Sequence, residues 1–147
     1  MYQHILVPTD GSERSLQAAR EAAALARAIG ARITGFFAGP EFPGLYVGDG
    51  LVIDPAAIDE HRRAVEELAQ RHLNAIGAIA REAGVAYDSA HTLSEVPWSA
   101  IVEAATEHGC DAIVMASHGH GALGSLLLGS QTIKVLAHTK LPVLVCR

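Results

Sequence analysis

Five short apolar runs, at residues 5–7, 32–37, 86–92, 112–115 and 143–146, are separated by segments too long to be hairpin turns. Those segments are rich in Ala, Leu and Glu and carry apolar residues at helical spacing. Ser12 to Ile29 repeats through Leu16, Ala19, Ala23 and Ala26, begins at a residue type that caps helices and stops at Gly30. Ile58 to Ala83 has the stripe Val65, Leu68, Leu73, Ile76 and Ile79, with Gly84 after its end. Pro97 opens a third helix that ends near His108, and Ser130 is placed to cap a fourth running to about His138. The order is β-α-β-α-β-α-β-α-β. Neighbouring parallel strands need a crossover, and the crossover is right-handed, so this alternation predicts an α/β protein with an open parallel sheet and helices on both faces.

Composition agrees with that reading. At 147 residues the chain suits one domain, residues 1–147, that buries roughly 70% of the surface its unfolded chain would expose. Hydrophobic residues make up 50% and aromatic ones only 5%, which predicts a core of aliphatic side chains. A net charge of −5 with no cluster of Lys and Arg argues against a nucleic-acid surface. Cys110 and Cys146 stand 36 residues apart in no CxxC pattern and read as reduced, buried thiols. The N-terminus lacks the features of a secretory signal and no apolar run reaches 18 residues, so a soluble, cytoplasmic protein is expected. The irregular stretch 38–55, rich in Gly and Pro and carrying Phe42 and Tyr46, is expected to be a mobile excursion.

In open sheets of this kind ligands bind beyond the carboxyl ends of the strands. The loop after the fourth run holds Gly119, Gly121 and Gly124, followed by Gly129 and Ser130. It is not a dinucleotide fingerprint, which follows the first strand and has an acid about 20 residues on, nor a Walker A motif, which ends in Lys and Ser or Thr. Two readings stay open: glycines that let an anion approach the amides of a helix start, and glycines that only supply turn dihedrals. Asp10, at the end of the first run, would accept ribose hydroxyls, lie near Mg²⁺ carried by phosphates, or cap the next helix together with Ser12. His118 and His120 supply two imidazoles without a third ligand at metal spacing; they would bind zinc or nickel, donate to phosphate oxygens, or face water. The other six histidines are expected to face solvent, as are Glu66 and Glu67. Ser117 beside His118 is no nucleophile elbow, and no catalytic set is apparent.

Taken together, HILVPTDGS, CDAIVMASHGHGALGSLLLGSQT and KLPVLVCR resemble the universal stress protein family over essentially the whole chain. The ATP-binding subgroup shows G-x2-G-x9-G-[ST] after the fourth strand. Here Gly119, Gly129 and Ser130 match, and Ala116 stands in place of the first glycine. The resemblance implies an adenine nucleotide alpha hydrolase-like sheet with strand order 3-2-1-4-5. It implies ATP with Mg²⁺, the adenosine bordered by Pro8, Thr9 and Asp10, the adenine met by the backbone of Ala38, and Met115 lining the pocket. Gly119, Gly129, Ser130 and Gln131 would hold the phosphates; His118, on one of the readings left open above, would join them as a donor. It also implies a homodimer through Val143, Leu144 and Val145 and a role as stress sensor or regulator. A partner-binding member without nucleotide, a slow ATPase or autokinase, and a metal carrier are the rival readings.

Overall fold

The computed structural model describes residues 1–47, 49–52, 54–119 and 128–147, and of residues 45–47 and 52 the backbone only. Strands β1 (His4–Pro8), β2 (Arg32–Gly39), β5 (Tyr87–Leu93), β6 (Ala112–Ala116) and β7 (Val143–Cys146) form one sheet in the order β5-β2-β1-β6-β7. Every pairing in it is parallel. Numbered among themselves, these five strands run 3-2-1-4-5, as expected. The crossovers are helices α1 (Glu13–Ile29), α2 (Pro55–Glu82), α3 (Pro97–Glu107) and α4 (Ser130–His138).

Strand periodicity sorts the core into two layers. Ile5, Val7, Ile33, Ala112 and Val114 point to one face, where they meet Ala19, Ala22, Ala23 and Ala26 of α1 and Ile76 and Ala80 of α2. Leu6, Ile113 and Met115 point to the other, against Ala100, Ile101 and Ala104 of α3 and Val135 of α4. The alanine stripe of α1 is almost wholly buried, so this helix lies close on the sheet and a larger residue there would overpack. Ser12 caps α1, its side chain accepting from the Ser15 amide at 3.2 Å.

Three expectations are corrected, on the 38–55 stretch, on the histidines and on the burial of Cys146. Residues 38–55 are not wholly irregular: β3 (Leu45–Val47) and β4 (Gly50–Val52) pair antiparallel as a separate two-stranded sheet. The approach to this hairpin is tied to α2, where the His61 ring nitrogen lies 2.8 Å from the Pro40 carbonyl and the Phe42 and His61 rings meet edge to face. The histidines do not all face water either. His61 is half-buried, the half-buried His4 pairs with the Thr34 hydroxyl at 2.7 Å, and the half-buried His72 packs its ring on Phe37. Their amphipathic rings cover apolar surface while keeping a polar edge, which a pattern of scattered positions does not reveal. Glu66 and Glu67 are exposed as expected. Both cysteines are free, Cys110 buried and Cys146 only half-buried on the edge strand. Burial pushes the Cys110 thiol up to about 11 and raises that of Cys146. Among the described residues no helix is long and apolar enough to cross a membrane.

Candidate functional site

Strand order β2-β1-β6 sets three carboxyl ends side by side, and the chain reverses its winding between β1 and β6. A cavity of about 200 Å³ opens there. Pro8, Thr9 and Asp10 from the end of β1, Ala38 from β2, Met115 and Ala116 from β6, and His118, Gly119 and Gln131 beyond it all line the cavity. The sequence reading also placed Gly129 and Ser130 in the site; they stand at the start of α4, beside the lining residue Gln131. Ser15, Phe36, Pro97, Ile101 and Thr132 complete the wall. None of these was foreseen, because each reaches the cavity only through tertiary packing. Thr132 had a visible signal, a hydroxyl in the first turn after the glycine loop.

The floor is held by hydrogen bonds that turn the chain away from each strand end. Beyond β1, the Thr9 amide donates to the Phe36 carbonyl at 2.9 Å, and the Thr9 hydroxyl lies 2.9 Å from that of Ser15. Asp10 accepts from the Ser12 amide at 3.0 Å through Oδ1, a local turn, while Ser12 itself serves as the cap of α1. Gly11 follows with φ of +81°, a conformation that favours glycine, and a side chain there would run into the His72 ring.

Beyond β6, the Thr132 hydroxyl donates to the carbonyls of Ala116 at 3.0 Å and Ser117 at 3.2 Å, and the Gly129 amide donates to Ser117 at 2.7 Å. These bonds draw the start of α4 against the end of β6. Gly129, not Ser130, occupies the cap position, so α4 begins with no side-chain cap and no acid in its first turn. The α3 start is similar: Val96 offers no capping side chain, Pro97 leads the helix, and the Trp98 amide donates to Oε1 of Gln131 at 3.0 Å. Two helix N-termini with their positive dipole ends therefore converge on one cavity.

Gly119 lies against the Asp10 carboxylate, where a Cβ would collide with Oδ2. This close approach unites the first loop with the glycine loop. Ala116 is the last residue of β6, and no non-glycine described has a positive φ, so alanine meets no backbone conflict where the resemblance would have glycine. His118 is only 8% exposed, with Nδ1 2.8 Å from the Ser117 hydroxyl and Nε2 unpartnered among the described residues. His120, Gly121 and Gly124 lie outside the described residues. No group of three His, Cys, Asp or Glu side chains suited to a metal occurs among the described residues.

The universal stress protein family model matches residues 1–147. This chain belongs to the universal stress protein family. Its relatives include a universal stress protein of Thermus aquaticus, 36% identical over 151 residues and covering 100% of both chains. Another, from Methanocaldococcus jannaschii, is 34% identical over 149 residues, which is 100% of this chain and 83% of the relative. Among solved structures, a universal stress protein in complex with cAMP is 26% identical with a TM-score of 0.71, covering 99% of this chain and 97% of the other. The family match spans both loops that build the cavity.

Proposed function

We propose that this universal stress protein binds ATP in the cavity at the carboxyl edge of the sheet and acts in the cytoplasm as a homodimeric sensor or regulator. The observation that carries the reading is the meeting, in one cavity, of an apolar wall, the Asp10 carboxylate and two helix starts without acids. A base suits the wall of Phe36, Ile101 and Met115 beside the Ala38 backbone, and a ribose suits Asp10. Phosphates suit the first-turn amides of Ser130 and Gln131, the Gly129 amide being engaged by the Ser117 carbonyl, and an anion there gains about 0.3–1 kcal/mol per charge and more when partly buried. Mg²⁺ would travel with the phosphates near Asp10. The fit rests on two features of this chain: the absence of a side chain at Gly119 keeps the approach to Asp10 clear, and Nε2 of His118, without a partner among the described residues, calls for a polar one. The relative solved with cAMP supports an adenine nucleotide as the ligand class.

Among the described residues lining the cavity there is no Arg or Lys to draw charge from a leaving phosphate, so we read a binding site with slow hydrolysis. The dimer would form through β7, an edge strand whose Leu144 is 48% exposed. Native mass spectrometry of the fresh protein followed by titration with Mg-ATP tests both halves of the reading. A dimer with one nucleotide per chain is expected. A dimer still empty at millimolar ATP overturns nucleotide binding, and a monomer overturns the β7 interface.

A further inference from the structure

We infer that Ser117 is a positioning residue that fixes the tautomer of His118, so that the imidazole enters the cavity as a neutral Nε2–H donor for a phosphate oxygen. The inference rests on the nucleotide-binding reading above and assigns one of its contacts. His118 is more than nine-tenths buried and lines the cavity, and its Nε2 is buried without a partner among the described residues. A buried polar atom in that condition is costly unless a ligand satisfies it.

The direction of the Ser117–His118 bond decides what Nε2 offers. Ser117 is 3% exposed, and among the described residues its hydroxyl has the His118 ring as its one partner. Were Nδ1 to donate, the serine proton would be buried without an acceptor and Nε2 would be a bare acceptor. With the hydroxyl donating to Nδ1, the serine is satisfied and the ring proton resides on Nε2. The ligand atom facing it must then be an acceptor. Its surroundings select an anionic one: the Gly129 amide bonds to the Ser117 carbonyl, so His118 leaves the chain alongside the acid-free start of α4. Asp10, the one carboxylate among the described lining residues, faces Gly119, the neighbour of His118. An adenine nucleotide would be favoured over adenosine partly through this bond.

The test pairs calorimetric titrations of Mg-ATP and adenosine with ¹⁵N NMR of the His118 ring. In the wild type at neutral pH, Nδ1 is expected to show the shift of an unprotonated nitrogen and Nε2 that of a protonated one. Ser117→Ala is expected to redistribute the tautomers and weaken ATP several-fold, and Ser117→Thr, which keeps the hydroxyl, to restore both. His118→Phe is expected to weaken ATP about tenfold and adenosine by less, so that their affinity ratio shrinks. A proton on Nδ1 in the wild type overturns the inference, as does undiminished ATP affinity in a folded His118→Phe protein. A wild type that takes up neither compound overturns the nucleotide reading itself and this contact with it; the two failures are thus distinct.

Discussion

The two edges of the sheet carry opposite solutions to the same topology. At the carboxyl edge, α3 and α4 start; at the amino edge, α1 and α3 end, and a polar cleft of about 630 Å³ lies between Gly30, Gly109, His4, Arg32 and Asp111. That cleft is the larger of the two, yet its Asp111, His4 and Arg32 side chains already have partners. Asp111 accepts from the amides of Gln3 at 2.8 Å and His4 at 3.0 Å, His4 pairs with Thr34, and Arg32 pairs with Asp88. Burial alone would raise the Asp111 carboxyl, but those amides hold it below its usual range. The carboxyl-edge cavity instead keeps, among the described residues, an unpartnered imidazole nitrogen and a helix start without a capping side chain. On the proposed reading, unspent hydrogen-bonding capacity rather than volume separates the two.

The contrast breaks if substitutions at the two edges have the same consequence. The largest effect is expected from Gly119→Val, which sets a side chain on the Asp10 carboxylate. ATP affinity should fall at least about tenfold, some 1.4 kcal/mol, while the thermal midpoint stays near that of the wild type. Undiminished affinity by calorimetry would remove Gly119 from the site. Asp111→Ala should do the reverse. Losing the acceptor of two backbone amides is expected to cost about 1–2 kcal/mol of unfolding free energy in a urea titration, with ATP affinity unchanged. A loss of binding in that variant would mean that the edges are coupled.

Gln131→Ala sharpens the comparison, because this side chain lines the cavity and also receives the Trp98 amide at the start of α3. Removing that cap should cost about 0.5–1 kcal/mol in the same titration, and ATP should bind more weakly. A stable variant with unaltered binding would show that the carboxamide serves neither purpose.

Much of this frame was legible in the sequence because strand and helix periods differ. Ile5 and Val7 against Leu6, and Ile113 and Met115 against Val114, announce strands buried on both faces, and the length of the intervening segments forces parallel pairing. The hairpin was missed because three-residue strands beside glycines give no alternation to count. Among the cavity-lining residues, Asp10, Gly119 and Gln131 were marked by sequence and resemblance, whereas Phe36 and Ile101 carry no chemical signal and reach the wall only through packing. What made His118 informative was not its presence in a glycine loop. It was the burial of one nitrogen and the engagement of the other, which no one-dimensional pattern contains.

The smallest effect expected is a pH dependence arising at the amino edge. Burial, followed by the Arg32 guanidinium and a smaller push from His108, holds the His4 imidazole below its ordinary value of 6.5, against the opposing pull of Asp111 and Asp88. The unfolded chain therefore takes up a proton near pH 6.5 that the folded chain still refuses. Stability from this group is complete above pH 6.5 and is lost as the pH falls from there to the depressed folded value. Thermal midpoints measured across that interval should decline on acidification in the wild type and decline less in His4→Gln, which cannot titrate. The difference between the two curves isolates His4 from the other histidines. Parallel curves would show that this ring is as easily protonated in the folded protein as in the unfolded chain, and that the amino edge is less dry than its hydrogen bonds imply.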